Sequence, residues 1–180
     1  MRLEATILSR SRLLPALGLL LFGCYGSPPA VQAELQAGTA VVDITPDQWP
    51  LAPRGSFYPK PVETAHDPLT VRCVVLSDGT TSIALAVVDS CMVHREQLDP
   101  AKAAAAEACG IPAEHMLISS THTHSAPFAN ASFGTPQELA YQEKLIDGIS
   151  EAIVTAANNL QPAKAGWASH DLPDEVFNRR

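Results

Sequence analysis

The order of elements along this 180-residue chain predicts an α/β fold: a mixed sheet containing a β-hairpin, with helices packed against it. Three observations carry that expectation. Asp78-Gly79 stands between two apolar runs rich in β-branched residues, the strongest short-range hairpin signal. Tyr141, Leu145, Ile149 and Ile153 recur at every fourth position and are followed by Ala156 and Leu160, one apolar stripe of a long helix. Between that helix and an alanine-rich one lies the short apolar pair Leu117-Ile118, so strands and helices alternate.

Taken in order, Ser27 to Gln36 is small and proline-containing and predicts a linker. Ala37 to Ile44 is a strand that stops at Thr45-Pro46. Asp47 to Ala65 carries Pro50, Pro53, Pro59, Pro61 and Gly55, a density that forbids regular structure. A loop of that length in a compact domain is either functional or a surface excursion. Leu69 to Leu76 and Ser82 to Asp89 form the antiparallel hairpin, and their almost unbroken apolar character predicts burial on both faces. Asp99 predicts an N-cap, with Pro100 at the first helical position and Gly110 just past the end at Cys109. Met116 to Ser119 is a short strand, and Thr121 to Gly134 a loop of small and polar residues. Pro136 opens the long helix, Pro162 ends it, and Ala163 to Ser169 predicts a last strand. No internal repeat is present. The sequence stops at Asn178-Arg179-Arg180 without a closing element, so the sheet reads as the incomplete N-terminal part of a larger catalytic domain.

Residues 1–33 read as a signal peptide. Arg2, Arg10 and Arg12 make a basic start, and Leu13 to Phe22 an apolar run shorter than the roughly 20 residues a spanning helix needs. Val31-Gln32-Ala33 offers one cleavage site; Leu21-Phe22-Gly23-Cys24 is a loose lipobox that would leave a lipidated Cys24. A single N-terminal membrane anchor is the plainer alternative. Either way the expectation is export, to the periplasm, the medium or a lipid-anchored place at the cell surface. The remaining residues, 34–180, are enough for a modest core. A formal net charge of −7 excludes nucleic acid as an expected partner, since that wants a basic patch. Four cysteines without a Cys-x-x-Cys spacing predict buried free thiols, with room for one bridge in an exported protein.

Six histidines hold most of the chemistry. His122 and His124 stand one residue apart just after a short strand, and in extended backbone such residues face the same side. Two imidazoles on one face share a metal, or one binds while the other works as acid and base; a solvated pair without function is the bland alternative. Thr121, Thr123 and Ser125 surround them with hydroxyls able to orient the rings. His66 precedes Asp67-Pro68 at the mouth of the first hairpin strand, a place from which a scaffold supplies ligands, although a loop histidine is often just exposed. Asp89 ends an apolar strand, where a carboxylate needs a partner: a histidine, or the turn at Ser90 to Met92. His94 and Arg95 lie just beyond it, while His115 and His170 read as surface residues. There is no glycine-rich phosphate loop and no Gly-x-Ser-x-Gly elbow.

These segments resemble a known family. Ala37 to Pro46 is similar to the opening strand of the neutral/alkaline, non-lysosomal ceramidases and their bacterial relatives. Ala65-His66-Asp67-Pro68-Leu69-Thr70-Val71-Arg72 resembles a metal-ligand segment of that family, and Ile118 to Pro127 its Thr-His-Thr-His-Ser-Gly-Pro signature. Asn178-Arg179-Arg180 is similar to a segment after the family's long helix. The resemblance implies a zinc ion held by His66 and His122, with a glutamate and a tyrosine from farther along the family's chain, and His124 as a catalytic neighbour. It implies hydrolysis of the N-acyl bond of ceramide, or of a related lipid amide, to sphingoid base and fatty acid, with peripheral membrane contact. Ala126 stands where the family has glycine, which leaves that loop less free to turn. A Gly-Gly-Asp-x-Ser-Pro-Asn segment of the family has no match here. With only two of the ligands, residues 1–180 alone are expected to be inactive. The rival readings are a non-catalytic exported or lipid-anchored binding module, and a metal hydrolase with another substrate.

Overall fold

The computed structural model describes residues 34–132 and 134–172. The expected signal segment with Cys24, and Asn178-Arg179-Arg180, lie outside them. The described residues form a mixed sheet in the order β4-β3-β2-β1-β5, with two helices on one face. The strands are β1 (Gln36–Asp43), β2 (Thr70–Ser77), β3 (Ser82–Val88), β4 (Met116–Ser120) and β5 (Gln161–Pro162); the helices are α1 (Arg95–Cys109) and α2 (Leu139–Asn158). No helix among the described residues is long and apolar enough to cross a membrane.

The hairpin forms where expected. β2 and β3 pair antiparallel from Ser77↔Ser82 to Val71↔Val88. Asp78 closes the turn: its Oδ1 accepts from the backbone N–H of Thr80 and Thr81 at 2.8 and 2.7 Å, and Gly79 takes the positive φ of 83°. β3 then pairs parallel with β4, from Ala84↔Met116 to Val88↔Ser120, with α1 as the crossover.

The core lies between the sheet and the helices. The predicted stripe of α2 buries Tyr141, Leu145, Ile149, Ile153 and Ala156 against Val71, Val75, Ala84 and Val88, with Ala101 and Ala105 of α1 beside them. Burial alternates along β2 and β3. This corrects the expectation of burial on both faces: both helices sit on one side, and Ile83, Leu85, Val87, Leu117 and Val41 face outward without a covering element among the described residues.

Three boundaries differ from the sequence expectation. α1 starts at Arg95, not at Asp99, because His94 is the cap and its backbone N–H donates to Gln97 Oε1 at 2.9 Å. Pro100 therefore falls inside the helix and removes one backbone donor there, while Asp99 pairs with Arg95 Nε at 3.3 Å. Gln97 is 1% exposed, and its Oε1 also accepts from Asn130 Nδ2 at 2.6 Å. Gln97→Leu leaves both donors unpaired and is expected to lower stability by about 1–3 kcal/mol, read by thermal unfolding, whereas Gln97→Glu keeps the acceptor and most of the stability. α2 starts at Leu139, not Pro136, since Glu138 N–H is held by Phe128 O at 2.8 Å and Ser132 bridges Thr135. The last strand is Gln161–Pro162 rather than Ala163 to Ser169: it pairs with Gln36 and Ala37, Ala163 N–H reaches Leu35 O at 2.8 Å, and residues 163–172 form no strand.

Candidate metal centre

The parallel pairing of β3 and β4 puts their C-terminal ends side by side, which is where open α/β sheets gather functional loops. Thr121 N–H donates to Val88 O at 2.9 Å, so the turn after β3 and the loop after β4 leave the sheet together. The first brings Cys91 and the second His122.

His122 Nδ1 lies 2.7 Å from the Cys91 carbonyl oxygen. A carbonyl only accepts, so Nδ1 carries the proton and donates, leaving the lone pair on Nε2. That is the arrangement that orients an imidazole for a metal, the proton on one nitrogen tied to the protein and the other nitrogen free to ligate. His124 Nε2 stands 3.4 Å from His122 Nε2, with the ring centroids 5.0 Å apart and the planes at 73°. Two zinc–nitrogen bonds of about 2.0–2.1 Å at a tetrahedral angle also separate their nitrogens by about 3.4 Å, so the pair fits one ion's coordination sphere. Cys91 Sγ lies 3.9 Å from His122 Nδ1, and ligand atoms of Cys91, His122 and His124 all fall within 4.8 Å of one another.

The two histidines meet for a reason other than strand alternation. β4 ends at Ser120, and His122 takes a left-handed φ of 59°, unusual for a side chain with a Cβ and found preferentially at functional sites. The Pro-rich loop holds the turn from outside: Gly55 N–H donates to His124 O at 3.0 Å and Arg54 N–H to Ala126 O at 2.9 Å. The buried Ala126 is thus seated by its carbonyl, in a loop whose positive φ falls at His122.

His66 lines a cleft of about 550 Å³ together with Trp49, Asp89, Thr123, His124 and Ser125. It shares that cleft with His124, but it is not part of the converging group: its side chain is 97% exposed, and Nδ1 pairs with Asp67 Oδ2 at 3.1 Å. His94 caps α1, His115 Nδ1 contacts Ser82 O at 3.2 Å, and His170 is exposed. The hydroxyls expected to orient the rings do not: Thr123 Oγ1 accepts from Ser125 N–H at 3.3 Å, and the orienting atom is the backbone carbonyl of Cys91.

Asp89 reaches neither a histidine nor the next turn, which Ser90 Oγ closes by donating to Met92 O at 3.1 Å. Its carboxylate anchors the start of β2 instead. Oδ2 accepts from Thr70 N–H at 3.0 Å and Oγ1–H at 2.9 Å, and Oδ1 from Arg72 Nη2 at 2.7 Å. Burial pushes the carboxyl pKa up, but the Thr70 hydrogen bonds and the Arg72 charge together outweigh it, and the pKa ends below its ordinary value. A depressed folded-state pKa contributes stability that is present at neutral pH and is lost as the pH falls below about 4. Asp89→Asn is therefore expected to cost about 1–2 kcal/mol at pH 7, with the gap to wild type closing in acid; a gap that stays constant to pH 3 would contradict it. Cys73, Cys91 and Cys109 are free. Burial, with Cys109 adding to it, pushes the Cys73 thiol up to about 11, so it is an inert core residue.

Cys91, Arg54 and Gly55 are the site residues that sequence reasoning did not single out. One signal could have found Cys91: the parallel pairing of β3 and β4 ends at Val88↔Ser120, so the residues just past the two strand ends, Cys91 and His122 among them, leave the sheet from the same edge.

No protein-family model matches the chain, and no curated protein does. Among solved structures, the fold is similar to that of neutral ceramidase from Pseudomonas aeruginosa, with a TM-score of 0.64 and 20% identity over 72% of this chain. A ceramidase described as complexed with C2 is similar as well, with a TM-score of 0.62 and 22% identity over 72% of this chain. The chain spans about a fifth of the length of each, 22%. At these identities the likeness is one of fold.

Proposed function

We propose that this chain contributes the first part of the metal centre of a zinc-dependent hydrolase that cleaves linear N-acyl amides of the ceramide type. The observation that carries the proposal is the 3.4 Å separation of His122 Nε2 and His124 Nε2, with His122 Nδ1 committed to the Cys91 carbonyl. The fold similarity to two ceramidases supports the reaction class, and the cleft beside His124 offers the substrate an approach.

His122 is the proposed ligand, through Nε2. His124 is the proposed proton-transfer residue, its Nε2 close enough to the same ion's sphere to take a proton from an attacking water or return one to the departing amine. His66 is the proposed second ligand, supported by its place in the cleft that His124 lines. When bound there, zinc supplies Lewis acidity toward an amide carbonyl and lowers the pKa of a coordinated water. Cys91 holds the ring of His122 by its carbonyl, and the Arg54-Gly55 strap holds the backbone of His124 and Ala126. Export of the protein, to the periplasm, the medium or a lipid-anchored place at the cell surface, belongs to the same proposal, which rests there on residues 1–33 of the sequence.

The test is hydrolysis of a set of N-acyl substrates by the whole protein, run with and without zinc. Ceramide turnover that zinc restores after chelation is the expected outcome. Turnover of other linear amides but not ceramide would keep the centre and discard the lipid; no turnover and no zinc binding would favour a binding module.

A further inference from the structure

Cys91 brings two different groups to the metal centre. Its carbonyl oxygen, 2.7 Å from His122 Nδ1, holds the imidazole, and any residue at that position supplies a carbonyl. Its sulfur is a separate group. Cys91 is 6% exposed, is in no disulfide, and lines one cavity of about 230 Å³ with His122 and His124. Sγ stands 3.9 Å from His122 Nδ1, whose proton is already given to the carbonyl, so that contact does not satisfy the thiol.

Charge and reach decide what the sulfur does there. A zinc ion held by neutral imidazoles alone keeps both its positive charges, which is costly in a partly buried wall. No aspartate or glutamate lines this cavity, and the carboxylates of the adjoining cleft are committed: Asp89 to Thr70 and Arg72, Asp67 to His66. The Cys91 thiol is the cavity residue that ligates as an anion. On one tetrahedral ion, a zinc–sulfur bond of about 2.3 Å and a zinc–nitrogen bond of about 2.0–2.1 Å put sulfur and nitrogen about 3.6 Å apart. Ligand atoms of Cys91, His122 and His124 already lie within 4.8 Å of one another, a gap within the sweep of a single χ1 rotation.

We propose that the Cys91 thiolate is a protein ligand of this centre, beside His122, and that the centre therefore takes soft as well as borderline metal ions. The inference rests on the metal-centre reading and deepens it, because the ligands that the resemblance implies are nitrogen and oxygen only. Ligation replaces the S–H bond by a metal–sulfur bond and releases the proton to solvent.

Cobalt(II), added to the whole metal-free protein under reducing conditions, reads the two ligand types separately. Wild type is expected to show the visible bands of tetrahedral cobalt together with an intense near-ultraviolet thiolate-to-cobalt band. Cys91→Ser keeps the backbone carbonyl that orients His122. It is expected to retain the visible bands, to lose the near-ultraviolet band and to bind cobalt about 10-fold or more weakly. Circular dichroism checks its fold. Visible bands without the near-ultraviolet band in wild type would overturn the proposal, whatever the variant does, and leave the histidine centre standing. An unchanged near-ultraviolet band in folded Cys91→Ser would overturn it too, by assigning the band to another thiol. No uptake of cobalt or zinc by wild type would remove the centre and its thiolate ligand together.

Discussion

His122→Ala in the whole protein is expected to take bound zinc from about one per chain to none, and to lower turnover of an N-acyl substrate by more than about 100-fold. The size follows from the geometry. Losing a residue that only supports a metal ligand costs about 10- to 100-fold, and His122 is placed as a ligand itself. Its ring is held at one nitrogen by the Cys91 carbonyl at 2.7 Å, and its other nitrogen faces His124 at 3.4 Å. Alanine removes the only nitrogen in the group whose lone pair the protein has already aimed. The fold should survive, because His122 is exposed and lies outside the core formed by α2 and the sheet. His124→Gln gives the contrast: zinc retained, turnover lost. Loss of zinc in both variants would make His124 a ligand rather than a proton-transfer residue, and retention in both would remove the centre from this loop.

Gly55→Ala is expected to destabilise the protein by about 2–3 kcal/mol and to loosen zinc binding, although residue 55 touches no metal. A Cβ at Gly55 would stand 2.1 Å from His124 Cβ, 2.5 Å from its carbonyl oxygen and 2.8 Å from its Cα. None of those atoms can swing aside as a flexible side chain could. Either the Pro-rich strap lifts away, breaking the Gly55 N–H to His124 O bond, or the His124 backbone moves and takes the ring with it. Thermal unfolding and zinc affinity, measured beside Gly166→Ala, check this: a Cβ at Gly166 meets nothing within 4 Å, and that variant should match wild type. Wild-type stability and zinc affinity in Gly55→Ala would show that the strap does not seat the histidine loop.

The parts of this fold legible in the sequence are those set by local periodicity and turn chemistry. The four-residue recurrence from Tyr141 to Ile153 marks the buried face of α2, and Asp78-Gly79 the turn between β2 and β3. Parts set by distant partners were not legible. The start of α1 depends on Gln97, whose oxygen is shared with Asn130, 33 residues away. Burial on one face rather than two depends on where both helices pack, which apolar content cannot tell. At the site, the pairing of His122 with His124 was readable from the Thr-His-Thr-His-Ser segment. The Cys91 carbonyl that orients His122 was not, since any residue supplies a carbonyl and only the β3–β4 register brings that one close. His66, the other proposed ligand, stands exposed beside Asp67 in the cleft that His124 lines, and its segment alone did not tell how far it lies from the converging group.

The most direct test of the metal centre is the imidazole nitrogen spectrum of His122 in the whole protein, labelled with ¹⁵N and titrated with zinc. Coordination through Nε2 with the proton kept on Nδ1, and one zinc taken up per chain, is the result predicted. Coordination through Nδ1, or nitrogen shifts of His122 that do not move as zinc is added, would contradict it.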